Sequence, residues 1–126
     1  MRSSVFELPF KLISPTKILV LSAGEGTNLS LAVSHDKSNI TAVEANPFVA
    51  DWIKDLNRAI PNNNHKPGVN IYHEELRSFL MRDTAHFDLI MFPIFGAVGG
   101  TSGVNAIQED YLMTVESIKG AWLKLK

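Results

Sequence analysis

The sequence predicts an α/β fold with a parallel sheet and helices on both faces. Three observations carry that expectation. Short apolar runs alternate with stretches of helical periodicity, the pattern of repeated βαβ units. Two of those runs, Ile18 to Leu21 and Phe87 to Phe92, are nearly continuous in apolar residues, as strands buried on both faces are. The first run ends in a turn containing Gly24 and Gly26 and passes into a helix-compatible segment. A strand that ends in glycines and enters a helix is the nucleotide-binding unit of open α/β sheets.

Composition bounds the rest. With 126 residues, 45% hydrophobic and 20% charged, the chain reads as one globular domain over residues 1–126. A net charge of -1 without a basic block argues against nucleic acid, which needs clustered Lys and Arg. No apolar run approaches a membrane span, and nothing at the start reads as a secretory signal. The absence of cysteine rules out disulfides and thiolate chemistry and fits a cytoplasmic location.

In chain order, residues 1–16 are expected to form an extended lead-in, interrupted by Pro9 and Pro15. Lys17 to Ser22 is the first strand, and Thr27 or Asn28 caps the next helix. Ile40 to Glu44 is the second strand. Asn46-Pro47 opens a helix whose buried face is expected to be Phe48, Val49, Trp52, Ile53, Leu56 and Ile60. Val69 to Tyr72 is the third strand, followed by a short helix with Leu76, Phe79 and Leu80. Phe87 to Phe92 is the fourth, followed by a glycine-rich loop from Pro93 to Asn105. Gln108 to Leu125 is the last helix, with Tyr111, Leu112, Val115, Ile118, Trp122 and Leu123 inward. Trp52 and Trp122 are expected to anchor the core.

The glycine turn narrows the ligand. The dinucleotide fingerprint has a third glycine, where this chain has Leu29. Glu25 stands where a diphosphate would approach, and a carboxylate repels it. NAD, FAD and a Walker phosphate loop are therefore disfavoured. A ligand with a positive end and no phosphate fits, and S-adenosylmethionine or its decarboxylated form is such a ligand. Glu44, at the end of the second strand, is placed to accept from a ribose diol. Glu75, after the third strand, is placed to face an adenine edge. Glu74 reads as solvated. The four histidines show no ligand spacing, so no metal is assigned.

These residues resemble the catalytic domain of spermidine synthases and the spermidine-synthase-like proteins. The resemblance rests on Leu8 to Leu12, Ile18 to Gly26 with Glu25 at the acidic position, and Thr41 to Pro47. It continues through Glu75 to Leu80, Phe87 to Ile90 and Glu109 to Glu116. It implies a Rossmann-like sheet of the class I methyltransferase type. Seven strands are usual there, so the chain is expected to be truncated after the fourth strand and its helix. The resemblance implies a donor site formed by Ser22, Gly24, Glu25, Gly26, Glu44, Ala45 and Glu75. Glu44 would hold the ribose, Glu75 the adenine amino group, and Gly24 to Gly26 the amino-acid or aminopropyl side.

At the position where aminopropyltransferases carry a general-base aspartate, this chain has Pro93. Proline can neither take a proton nor hold a cation, so no catalytic residue is assigned. Two functional expectations follow. One is a transferase domain moving a methyl or aminopropyl group to an unidentified acceptor. The other is a catalytically degenerate module kept for binding, self-associating through an exposed sheet edge or the last helix.

Overall fold

A computed structural model describes residues 5–23, 27–35, 39–59, 68–92 and 114–126. Its elements in chain order are a 3-10 turn Val5–Glu7, α1 Leu8–Ile13, β1 Lys17–Leu21, α2 Thr27–Ser34 and β2 Asn39–Glu44. These are followed by α3 Pro47–Ala59, β3 Val69–His73, α4 Leu76–Arg82, β4 Leu89–Met91 and α5 Val115–Lys124. The described strands form one sheet in the order β3-β2-β1-β4. Every pairing is parallel, with Ile18 opposite both Ile40 and Leu89, and Glu44 opposite His73.

Strand alternation divides the core into two layers. Ile18, Val20, Ile40 and Ala42 face one side and pack with Phe10 of α1, Ala32 of α2 and Ile53 of α3. Leu19, Leu21 and Val43 face the other and pack with Phe79 and Leu80 of α4, Phe87 and Ala121 of α5. Ile18 to Leu21 are therefore fully buried, as the continuous apolar run requires.

Residues 5–13 correct the expected extended lead-in, because they are helical. Pro9 lies in the first turn of α1, where its missing N–H costs nothing. Helix α1 ends at Ser14, in a left-handed conformation (φ 45°), just before Pro15. Phe10 alone in α1 is buried, and its ring stacks on His35 at 4.1 Å between centroids.

The helical faces are a second correction. In α3, Ala50 and Ile53 are buried, whereas Phe48 is 85% and Trp52 57% exposed. Positions 56 and 60 lie outside the described side chains. In α5 the inward residues are Ser117, Ala121 and Lys124, while Val115, Ile118, Trp122 and Leu123 point outward, Trp122 at 73% exposure. Neither tryptophan is a core anchor. Both helices carry apolar residues on more than one face; Ile53, with Val49, makes the core contact of α3, and Ala121 that of α5. Helix α5 starts after Thr114, whose hydroxyl accepts from the Ser117 N–H. Tyr111 and Leu112 lie outside the described residues. Lys124 is tolerated inside because its ammonium donates to the Asp83 carbonyl at the end of α4, where the helix dipole favours a cation.

Strand β4 is shorter than expected because Phe87 and Asp88 serve other contacts. The Phe87 N–H donates to Lys124 O at 2.8 Å and the Lys126 N–H to Phe87 O at 3.1 Å, so Leu125 runs parallel beside it. Asp88 Oδ2 accepts from the Thr16 hydroxyl (2.8 Å), the Thr16 N–H (2.9 Å) and the Lys17 N–H (2.9 Å). This clamp joins the starts of β1 and β4. The Thr16 hydroxyl and these amides hold the Asp88 carboxyl below its ordinary value.

A carboxyl whose pKa is lowered by folding stabilises the fold above its unfolded value, about 3.9. That contribution fades as the pH falls below that value and is gone below the folded one. Asp88→Ala is expected to lower unfolding free energy by about 1–3 kcal/mol at neutral pH. Urea denaturation should show the difference from wild type shrinking as the pH falls below about 4.

Candidate functional site

The chain order fixes where a site can be. Strands β1, β2 and β3 step outward in one direction, and the next crossover returns to place β4 on the other side of β1. The strand order therefore reverses beside β1. In open parallel sheets the crevice at such a reversal, outside the carboxyl ends of the strands, is where ligands bind. The four strands end at Leu21, Glu44, His73 and Met91, and Ser22, Ala45, Glu74 and Phe92 follow them.

At the end of β1, Ser22 has φ 55°, a left-handed conformation that L-residues with a Cβ adopt at a cost of about 1–2 kcal/mol. Strain of this kind persists where the surroundings enforce it, commonly at functional sites. Ala23 is buried in the first core layer. Gly24, Glu25 and Gly26 lie outside the described residues, as does Pro93. At the far side of the turn, Asn28 Nδ2 donates to Phe92 O at 2.7 Å. This bond ties the first turn of α2 to the exit of β4.

At the end of β2, Glu44 is only 7% exposed, although a carboxylate is rarely buried without partners. Its Oε1 accepts from the Asn46 N–H at 2.9 Å. Asn46 in turn caps α3, its Oδ1 accepting from the Phe48 and Val49 N–H groups at 3.0 and 3.4 Å. The chain leaving the strand is thereby folded back around the Glu44 carboxylate. Ala45 is exposed, and its carbonyl lies 3.2 Å from His73 Nε2.

After β3, Glu74 and Glu75 part company. Glu74 forms a two-pronged ion pair with Arg82, at 3.1 Å from Nε and 2.7 Å from Nη2. The guanidinium holds its carboxyl below the ordinary range. Arg82 also lies over the Phe79 ring, which is tilted against Tyr72. Glu75 is the N-cap of α4. Its oxygens accept from the Arg77 N–H (3.0 Å), the Ser78 N–H (2.8 Å) and the Ser78 hydroxyl (2.9 Å). Partial burial pushes its pKa up, but the Ser78 and Arg77 bonds outweigh that and lower it. Glu75 is thus an ionised acceptor.

Ser22, Glu44, Ala45 and Glu75 lie at or just after the carboxyl ends of parallel strands, so they share one edge of the sheet. Sequence reasoning did not find Asn28 as a link to Phe92, His73 against Ala45, or the strain at Ser22. The only local signals were an asparagine after the glycine turn and a non-glycine at a strand end.

No protein-family model matches the chain, and no curated protein sequence matches it significantly. Solved structures do. The fold is that of class I methyltransferases, in the form that spermidine synthases share. A spermidine synthase in complex with the transition-state analogue AdoDATO superposes with a TM-score of 0.63 at 18% identity, over 97% of this chain and 42% of that one. The spermidine synthase of Thermotoga maritima gives 0.59 at 18% identity, over 97% and 40%. A SAM-dependent methyltransferase from Agrobacterium tumefaciens gives 0.54 at 20% identity, over 68% and 28%. The chain spans about two fifths of the spermidine synthases it resembles. Among the described residues no helix is long and apolar enough to cross a membrane.

The strain at Ser22 can be measured. Ser22→Gly is expected to raise unfolding free energy by about 0.5–1 kcal/mol, and Ser22→Val to lower it by about 1–2 kcal/mol. Chemical denaturation of both variants reads the difference. Equal stabilities would mean that the backbone at Ser22 is not left-handed in solution.

Proposed function

We propose that this chain forms the donor pocket of an S-adenosylmethionine-type transferase, binding S-adenosylmethionine or its decarboxylated form. The observation that carries the reading is the buried Glu44 carboxylate at the carboxyl end of β2, held by the Asn46 N–H one strand away from the reversal of the sheet. An ionised carboxylate there can take both hydroxyls of a ribose.

Glu75 suits the adenine side. A carboxylate offers about four acceptor positions, and the α4 cap uses three of them. What remains is room for one donor, such as an exocyclic amino group. Ser22 and Gly24 to Gly26 would approach the amino-acid or aminopropyl end, with Glu25 near its positive charge. Ala45 would lie against the nucleoside between Glu44 and the start of α3. Support comes from related folds, one solved with AdoDATO and another, a plantazolicin methyltransferase, with SAH.

The reaction would be an in-line displacement at the carbon beside the sulfonium. The acceptor lone pair forms the new bond as the C–S bond breaks and its electrons return to sulfur. Holding the donor supplies orientation, the largest contribution such a site can make without a general base. Pro93 favours a methyl or aminopropyl acceptor that arrives already unprotonated. It equally favours a second reading, a pocket retained for binding alone.

Titration calorimetry with S-adenosylmethionine, its decarboxylated form and methylthioadenosine is expected to give binding by at least one of them. Glu44→Ala should weaken it by about tenfold to a hundredfold, the loss of a charge-assisted hydrogen bond. A folded sample that binds none of the three would sink the donor-pocket reading. Binding without transfer to any acceptor would favour the second.

A further inference from the structure

Three successive carbonyls carry the chain out of β2, and each has a donor. The Glu44 carbonyl accepts from the Glu74 N–H at 3.1 Å, and the Asn46 carbonyl from the Ala50 N–H at 2.9 Å. Both donors are backbone groups, which any residue other than proline supplies. The middle carbonyl, Ala45 O, differs. Its donor is the side chain of His73, whose Nε2 lies 3.2 Å away. His73 stands opposite Glu44 in the β2–β3 ladder, so the register of the sheet delivers it there. A carbonyl only accepts, so Nε2 carries the hydrogen, as it does in the Nε2–H tautomer and in the imidazolium.

The Ala45 carbonyl and the Asn46 N–H belong to one peptide unit. The unit is trans and planar, so its two polar ends point in opposite directions. On one side it accepts from His73, and on the other its N–H donates to Glu44 Oε1 at 2.9 Å. Rotating the unit would withdraw both bonds together. Ala45 is exposed and carries only a methyl group, so packing offers little resistance to that rotation.

We infer that His73 is a positioning residue for the Glu44 carboxylate, acting through the Ala45–Asn46 peptide, a role that rests on the donor-pocket reading of Glu44. The bond at Ala45 O holds the peptide with its N–H aimed at Glu44 Oε1. It also polarises the peptide, which strengthens the donation from the N–H. The carboxylate is thereby presented in one orientation, and little ordering cost falls on the binding of a ribose. His73 need not touch the ligand to act in this way.

Two substitutions separate the donor from the ring. His73→Gln can bring an amide N–H near the position of Nε2, whereas His73→Phe keeps a ring and removes the donor. The β2–β3 ladder is made by the backbone, so both variants should fold, with the circular dichroism of wild type. In calorimetry with the donor that binds wild type, His73→Phe should weaken binding about threefold to tenfold, the value of one hydrogen bond, and His73→Gln should restore most of it. With Glu44→Ala already present, His73→Phe should cost nothing further. Hydrogen exchange followed by NMR reads the same device without a ligand. The Asn46 amide should exchange about threefold to tenfold faster in His73→Phe than in wild type or His73→Gln. Equal Asn46 exchange in all three overturns the inference. So does a Gln variant that binds as weakly as the Phe variant, or a loss that persists without Glu44. A wild-type chain that binds no donor sinks the pocket reading instead, and the orientation of Glu44 by His73 then stands or falls on the exchange alone.

Discussion

Burial of β1 from both sides is the constraint on which the other features depend. Ile18 to Leu21 expose nothing, and consecutive side chains enter opposite core layers. Neither layer can be left open, so helices must return on both faces. Crossovers that supply helices to both faces must leave β1 in both directions, which is why β2 and β4 flank it. The crevice at the reversal follows from the need to bury one five-residue strand.

The ends of the strands are then set by small polar devices. Asn46 and Glu75 both cap helices that begin at the carboxyl edge of the sheet, so a single arrangement shapes the loop and orients the acid. At the opposite edge Asp88 gathers three donors from Thr16 and Lys17 and fixes the register of β1 against β4. Glu74 is neutralised by Arg82, which separates it from its neighbour Glu75 in chemistry though they are adjacent in sequence.

Strands were legible in the sequence because a strand buried on both faces has no alternation to misread, as Ile18 to Leu21 illustrates. The placement of Glu44 and Glu75 at one edge was legible because a parallel sheet brings every strand end to that edge. Helical faces were legible only in part: Ile53, Phe79 and Leu80 are buried as expected. Phe48, Trp52 and Trp122 follow core-like spacing, yet Ile53 and Val49 of α3 and Ala121 of α5 meet the core. Residues 5–13 were misread because Pro9 was taken as a breaker where it opens a turn. The links from Asn28 to Phe92 and from His73 to Ala45 join distant parts of the chain, and no local pattern encodes them.

The Asp88 clamp also has a kinetic side. It closes a span of 72 residues, from Thr16 to Asp88, whereas the other edge of β1 closes the much shorter span from Lys17 to Asn39. Chain entropy makes the longer closure costlier by about 1 kcal/mol. The β1–β2–β3 side can therefore assemble first, with β4 docking onto it afterwards. The crevice beside β1, and with it the neighbourhood of Asn28 and Phe92, is then the last part of the sheet to take shape.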